Sequence, residues 1–188
     1  QRCGLEVVAA VSGQVVHGEW DPAEEIFWLS STYSSHVWGL RRVAGTPDTI
    51  AQVERIDIPP DPGTQHPRAV TGLSRLPTAN PLAATELFIT HSGNILVPGV
   101  ALPAGYLVRD SVGVVETFLD VPPDFDDFEI DETLVGGPYF LNKNIAFFSF
   151  FGSGIGVVVV DPDLGFTLVA FAPFEDLGTQ PVVHPSTN

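Results

Sequence analysis

The stretch from Asn144 to Phe171, NIAFFSFFGSGIGVVVVDPDLGFTLVAF, holds three short apolar runs separated by turn residues. The runs are rich in Val, Ile and Phe, which are residue types enriched in β-strands. FFSFF and GVVVV do not alternate apolar with polar residues, which predicts strands covered on both faces, by a second sheet or by another subunit. In DPDLG, Pro162 presets φ and Gly165 supplies a positive φ, so the last two runs are predicted to form a hairpin.

Similar apolar segments, each bounded by turn residues, recur along the whole chain. With 18 Gly and 17 Pro among 188 residues, few windows could hold three uninterrupted helical turns. The segment QVERID (52–57) alternates apolar with polar residues, as a half-exposed strand does. The sequence therefore predicts an all-β protein.

Three passages of the chain share one order of features. Each has a short entry strand, a strongly apolar strand and a hairpin of two further strands, and each closes on a proline followed by an acidic residue. A four-stranded unit of this size is typical of a propeller blade, and a β-sandwich or jelly roll with similar hairpins is the alternative. The predicted units, within a single all-β domain, span residues 13–61, 69–124 and 126–176.

Three segments carry a resemblance to a known family: GEWDPAEEIFWLSS (18–31), DDFEID (126–131) and GVVVVDPDLGFTLV (156–169). They resemble blade segments of gluconolactonase-like six-bladed β-propellers. The resemblance implies three blades in this chain where the family has about six, and three blades cannot close a ring. It therefore implies either two chains that complete a ring or an open, reduced form. Both imply self-association, because an unclosed sheet leaves edges that must be covered.

Composition limits the partners and the compartment. Lys+Arg is 8 against Asp+Glu 23, a net charge of −15, which repels phosphate and argues against nucleic acid or anionic lipid as partners. No apolar run approaches the roughly 18 residues of a membrane-spanning helix. The chain begins at Gln1 and contains no methionine, which predicts a processed, secreted protein. Cys3 is the only cysteine, so no intrachain disulfide can form and the role of this thiol stays open.

The segment 120–132, DVPPDFDDFEIDE, contains seven carboxylates and no basic residue. It lacks the alternating ligands and the glycine of an EF-hand calcium loop. Read with a period of two, its second half predicts a strand with a solvated acidic face. Crowded carboxylates can also recruit a cation, so Asp124, Asp126 and Asp127 are candidates for a loose Ca²⁺ site.

The family resemblance adds Glu19 as a metal candidate, because this residue occupies the place of a metal-binding Glu in the first entry strand. It also implies an enzyme of lactonase or cyclase type, with a central pocket for a small neutral molecule and Ca²⁺ as the candidate cofactor. The residues themselves show no Gly-x-Ser-x-Gly, no P-loop and no paired-histidine spacing. The sequence therefore predicts no catalytic residue.

Two aromatic groups are candidate binding surfaces. The members of the first group lie within nineteen residues of one another. Such a group indicates either core packing or an aromatic platform for a glycan or another flat ligand. Its members are Trp20, Trp28, Tyr33 and Trp38.

The second group lies on both faces of one strand, which suits a subunit interface. Its members are Phe147, Phe148, Phe150 and Phe151. The leading hypothesis is an exported, non-enzymatic module that self-associates as a surface, filament or adhesive subunit. The enzyme and a carbohydrate-binding module are the alternatives.

Overall fold

The strands of the protein follow the apolar runs of the sequence. The structure, a computed structural model, describes residues 15–31, 34–45, 49–77, 86–92, 105–110, 112–131, 134, 136–160 and 165–175. Thirteen strands and one 3-10 helix (Pro123–Phe125) lie in these ranges. The strands are β1 (Val15–Asp21), β2 (Ile26–Ser31), β3 (His36–Val43), β4 (Thr49–Asp57), β5 (Ala69–Arg75), β6 (Leu87–Ser92), β7 (Gly105–Arg109), β8 (Val114–Thr117), β9 (Leu119–Asp120), β10 (Tyr139–Asn142), β11 (Ile145–Phe150), β12 (Gly154–Val160) and β13 (Phe166–Pro173).

These strands form three sheets. The first sheet has the order β1-β2-β3-β4, the second sheet β5-β6-β7-β8, and the third sheet β10-β11-β12-β13-β9. All neighbouring strands are antiparallel except β9, which pairs in parallel with β13. The predictions of an all-β fold and of blade-like, four-stranded antiparallel units are confirmed. The sheets fall within the predicted units, except that β9 leaves the second unit to join the third sheet.

Short polar side chains shape the turns between neighbouring strands. The Asp21 carboxylate accepts a hydrogen bond from the Ala23 amide at 2.9 Å at the β1–β2 turn. The Asp110 carboxylate accepts one from the Val112 amide at 2.7 Å at the β7–β8 turn. Asp and Asn favour turns because their side chains bond the backbone two residues on. The turns therefore follow from local sequence.

Two hydrophobic cores join the three sheets into a stack with the second sheet in the middle. One core lies between the first and second sheets, and its buried members are Ile26, Trp28, Val37, Ile56, Ile58, Val70, Leu73, Leu87, Ile89 and Leu107. The other lies between the second and third sheets, and its buried members are Leu76, Phe88, Tyr106, Val108, Leu134, Ala146, Phe148, Phe150, Val158, Val160, Phe166 and Leu168. Successive residues of β6 alternate between the two cores, so the second sheet is buried on both faces.

A close backbone contact fixes the start of the third sheet against β5. A Cβ added to Gly72 would lie 2.1 Å from the carbonyl carbon of Gly136. Beside it, the Ser74 hydroxyl donates a hydrogen bond to the Pro138 carbonyl at 2.5 Å. Only glycine allows the two backbones to approach this closely.

The structure corrects one sequence prediction. The segment 126–131 was predicted as an acidic entry strand, but it contains no strand. Its turns are closed by backbone hydrogen bonds from Asp126 to Pro123 and from Phe128 to Phe125, both at 3.0 Å. The two prolines before the segment favour a 3-10 turn over an extended chain. The entry strand of the third sheet is β10, and the predicted DPDLG turn lies mostly outside the described residues.

Candidate functional site

The stack leaves one face of the first sheet and one face of the third sheet without a neighbouring sheet among the described residues. We call the outward face of β10–β13 the third free face and the outward face of β1–β4 the first free face. In a soluble domain such faces are normally polar, since apolar side chains gain free energy by leaving water. Their composition therefore bears on function.

The third free face is apolar across four strands. Tyr139 pairs with Phe147, and Phe147 pairs with Val157, so their side chains lie side by side across β10, β11 and β12. The Tyr139 and Phe147 ring centroids are 6.4 Å apart. The face carries Tyr139, Leu141, Asn142, Ile145, Phe147, Ser149, Ile155, Val157, Val159, Thr167, Val169, Ala170 and Ala172, none of which is charged.

Several of these side chains are open to water. Tyr139 is 67% exposed, Leu141 56%, Val169 49% and Val159 40%. Contiguous apolar patches of more than a few hundred Å² are uncommon on monomeric proteins and mark interaction sites. At the outer edge Asp120 on β9 pairs with Thr167 and is exposed. The face is thus an apolar surface with a carboxylate at one margin.

The first free face combines aromatic and basic side chains. Trp20, Phe27 and Leu40 lie on it as cross-strand neighbours, and the first two are 50% and 40% exposed. Arg42 and Arg55 lie on the same face through their pairing in β3 and β4. The chemical character of this face therefore differs from that of the third free face.

A small polar cluster lies at one end of the first free face. Arg55 contacts the Asp57 carboxylate at 2.8 Å, and His36 approaches the same carboxylate at 2.7 Å. The hydrogen bond from Arg55 lowers the pKa of Asp57, and the nearby His36 lowers it further. The His36 ring also packs edge-on against Trp38, at a centroid distance of 6.2 Å. Asp57 is therefore ionised at neutral pH and offsets one of the positive charges on this face.

The structure does not bring the predicted aromatic platform to one surface. Trp28 is buried and faces the second sheet, where the Arg109 guanidinium lies 5.6 Å from the centre of its ring. Trp20 pairs with Phe27 and Trp38 pairs with Leu29, the two residues that flank Trp28 in β2. Because successive residues of a strand point to opposite faces, Trp20 and Trp38 lie on the side of the sheet opposite to Trp28. Tyr33 lies outside the described residues.

The metal candidates are also dispersed. Asp124, Asp126 and Asp127 are exposed in the turn after β9, and Glu19 lies on β1 with its carboxylate 3.9 Å from His17. Within the described ranges, no three His, Cys, Asp or Glu side chains form a group that could hold a metal ion. The predicted calcium set therefore has no preformed geometry in this part of the chain.

The predicted phenylalanine group divides between two environments. Phe148 and Phe150 are fully buried within the chain, against the second sheet. Phe147 is 36% exposed on the third free face, and Phe151 is 63% exposed in the turn after β11. The prediction that Phe148 and Phe150 form a subunit interface is thus corrected, because the second sheet covers them. Sequence reasoning missed Tyr139, although the lack of alternation in GVVVV did point to two apolar faces.

A partly buried polar network lies where the loop between β4 and β5 meets the second sheet. Arg68 contacts Glu116 at 2.9 Å and Asp61 at 3.7 Å. His91 lies nearby and is almost wholly buried. Burial, with a smaller contribution from the positive charge of Arg68, lowers the pKa of His91 to about 4. Nearby, hydrogen bonds from the Thr64 amide and hydroxyl lower the pKa of Asp61.

A second polar contact joins Arg109 to Glu54 at 2.5 Å. Glu54 lies on β4 and Arg109 on β7, so this pair connects the first two sheets, whereas the network around Arg68 connects the β4–β5 loop to the second sheet. Both arrangements therefore join separate parts of the fold.

An open cleft of about 440 Å³ lies at the end of the third sheet. Phe128 and Phe171 line it together with the carboxylates of Asp127, Glu129 and Glu175. The Ser153 hydroxyl at its edge donates to the Glu129 carbonyl at 3.1 Å and accepts from the Asp131 amide at 2.9 Å. The hydroxyl is therefore occupied in holding the acidic segment to the β11–β12 turn.

Comparison with known proteins adds no family assignment. The sequence matches no protein-family model, and it matches none of the curated proteins. In the described part of the chain, no helix is long and apolar enough to cross a membrane. Any functional assignment must therefore come from the geometry of this chain.

Proposed function

We propose that the protein is a non-enzymatic, self-associating all-β module, and that the third free face is the surface through which it associates. The observation that carries the proposal is the exposure of an uncharged, four-stranded apolar face in a chain whose net charge is −15. A chain this acidic has many charged residues for its surface, yet none lies among the residues named for this face.

The interior of the chain supports this assignment. The face of the third sheet that packs on the second sheet carries Phe148, Val158 and Leu168, all fully buried. The third free face carries Phe147, Val157 and Val159 on the same strands, which are side chains of the same types. A sheet with this composition on both sides is typical of a sheet with a neighbour on each side.

The enzyme alternative has weaker support. Among the described residues, the lining of the cleft includes acidic side chains but no histidine or lysine. The buried His91 lies elsewhere, in β6 of the second sheet. Acid–base catalysis needs a titrating group within reach of a substrate. The exposed apolar face therefore carries more of the functional argument than any polar cluster does.

The test is a pair of matched substitutions, Val159→Lys and Val112→Lys. Val159 lies on the third free face, and Val112 is 90% exposed in the β7–β8 turn, away from both free faces. A lysine at an apolar interface costs free energy unless it finds a partner, and each 1.4 kcal/mol or so weakens association about tenfold. We expect Val159→Lys to shift the oligomer to monomer in light scattering, while Val112→Lys matches the unsubstituted chain. Equal association of both variants would remove this face from the proposal.

A further inference from the structure

The cleft at the end of the third sheet has aromatic as well as acidic walls. The turn segment after β9 contributes Phe128 to one wall, and the end of β13 with the residues after it contributes Phe171 and Phe174 to the other. Phe128 is 38% exposed and Phe174 is 41% exposed, so both rings are in part open to water. The centroids of the Phe128 and Phe171 rings are 5.3 Å apart at an angle of 61°, so the two walls meet at these rings.

Hydrogen bonds hold both walls of the cleft to the β11–β12 turn. The Ser153 hydroxyl donates to the Glu129 carbonyl and accepts from the Asp131 amide, which fixes the first wall. The Ser153 carbonyl accepts a hydrogen bond from the Phe174 amide at 3.0 Å, which fixes the second wall. Since one residue ties both walls in place, a ligand needs to order little of the chain, and its binding costs less conformational entropy. The volume of about 440 Å³ lies within the range of small-molecule sites.

The charge of the cleft is negative and is not balanced locally. Among the described residues its lining includes the acids Asp127, Glu129 and Glu175 and no basic residue. Lys143 is the only lysine or arginine that follows Arg109 in the sequence. It lies in the β10–β11 turn, so the six residues of β11, at about 3.4 Å each, separate it from the cleft by about 20 Å. This distance exceeds the Debye length of about 8 Å at physiological ionic strength, so Lys143 does not neutralise the cleft.

The walls and the charge together select a class of ligand. Three carboxylates repel phosphate and other anions. A divalent metal ion needs several oxygen ligands directed at one point, and within the described ranges no three acidic, histidine or cysteine side chains form such a group. A neutral apolar molecule would use the rings but gain nothing from the carboxylates. An organic cation uses both, because the face of an aromatic ring attracts a cation and the carboxylates offset its charge.

We propose that this cleft binds an organic cation, that is, a positively charged nitrogen with apolar substituents, such as an alkylammonium or alkylguanidinium group. The apolar substituents pack on the phenylalanine rings, and the charged nitrogen lies among the carboxylates. Free amines and the lysine or arginine side chains of a basic protein share this chemistry. The site does not depend on self-association, because Phe171 packs against the core between the second and third sheets, on the side opposite to the third free face.

Titration of the isotope-labelled chain with tetramethylammonium chloride, followed by amide NMR signals, tests the proposal. The matched probe is tert-butanol, which has a similar shape and no charge, and sodium chloride at the same concentration controls for ionic strength. We expect the amide signals of Phe128, Ser153 and Phe174 to shift saturably with tetramethylammonium and not with the other two solutes. Equal shifts with tert-butanol or with sodium chloride, or the lack of a saturable shift, would overturn the proposal.

Four substitutions locate the binding. Phe174→Ala and Glu175→Gln should each weaken tetramethylammonium binding about two- to fivefold, which is the effect of one exposed cation–π or charge contact. The controls Phe118→Ala and Asp124→Asn alter an exposed ring and an exposed acid outside the cleft and should leave the affinity unchanged. The dispersion of the amide signals shows whether each variant folds. Unchanged affinity in both Phe174→Ala and Glu175→Gln would place the binding elsewhere and overturn the proposal.

Two further measurements separate the sources of the cation and the two proposals. Butylguanidinium is compared with a blocked peptide that contains a single arginine; tighter binding of the peptide supports a protein side chain as the ligand, and tighter binding of butylguanidinium supports a free molecule. Val159→Lys should bind tetramethylammonium as the unsubstituted chain does, because Val159 lies on the third free face. Loss of association without loss of binding in this variant shows that the two surfaces are separate, whereas loss of both would overturn a cleft site independent of that face.

Discussion

Replacement of Phe88 by alanine tests the stacking of the second and third sheets. Phe88 is fully buried, and four aromatic rings surround it. Its ring centroid lies 5.0 Å from that of Phe166, 5.6 Å from Phe148, 5.7 Å from Tyr106 and 5.9 Å from Phe140. Three of these rings belong to the third sheet and Tyr106 belongs to the second, so the Phe88 side chain joins the two sheets.

The magnitude follows from burial. A buried Phe→Ala change costs about 3 to 5 kcal/mol, because apolar transfer is lost and a cavity remains. The loss of four ring contacts, two of them edge-on, places the cost of Phe88→Ala at about 4 kcal/mol. The matched control is Phe118→Ala, at a residue that is 73% exposed between β8 and β9. We expect the control to change stability by less than about 0.5 kcal/mol.

Urea denaturation measures both variants by two signals. All three tryptophans lie in the first sheet, so their fluorescence reports on that sheet, whereas circular dichroism reports on strands of the whole chain. If the three sheets unfold as one unit, the two transitions coincide and both shift in Phe88→Ala. If this variant does not fold, Phe88→Leu gives a smaller shift in the same direction. A loss below about 1 kcal/mol for Phe88→Ala would refute the packing of these sheets on each other.

Two further predictions concern the cores and one concerns assembly. Gly72→Ala places a Cβ against the Gly136 carbonyl and should lower the thermal midpoint by several degrees, since about 1 kcal/mol shifts Tm by about 2 to 4 °C in a chain of this size. A Gly63→Ala control, whose added Cβ would meet only the Asp61 carboxylate at an ordinary 3.4 Å, should lower it less. The pKa of His91 is about 4 in the folded chain and 6.5 in the unfolded chain, so the free energy of unfolding is fully retained above pH 6.5 and falls as the pH drops from 6.5 toward 4. His91→Gln should reduce this dependence of the free energy of unfolding on pH. An unchanged dependence in the variant would contradict the burial of a neutral ring. Val159→Lys should weaken association at least about tenfold relative to Val112→Lys, measured by light scattering on a dilution series.

The strands could be predicted from the sequence because each is marked by residues within the strand and in its flanking turns. Val, Ile and Phe runs between Gly and Pro turns define β11 and β12 without reference to the rest of the chain. The repeat of four strands predicted three sheets for the same reason. The segment 126–131 was mispredicted because its alternating acids fit a strand, whereas preceding prolines and short-range hydrogen bonds give turns.

The candidate site was only partly predictable, because tertiary packing decides which face of a strand a neighbouring sheet covers. The sequence showed that the strand with Phe147 and Phe148 has two apolar faces, but not which face the second sheet covers. The register places Phe148 inside and Phe147 outside, beside Tyr139. Similarly, Trp28 and Trp38 are close in sequence yet lie on opposite sides of the first sheet. Export and the predicted calcium site stay predictions.

The mass of the unsubstituted chain in solution tests self-association most directly. Sedimentation equilibrium over a dilution series, at low and at high salt, gives this mass without a label. We predict species that are multiples of 20.1 kDa and that dissociate on dilution. We also predict association at least as strong at high salt, because the third free face is uncharged and salt screens the repulsion between chains of net charge −15. A mass of 20.1 kDa at every concentration, with the third free face still exposed to water, would contradict the proposed function.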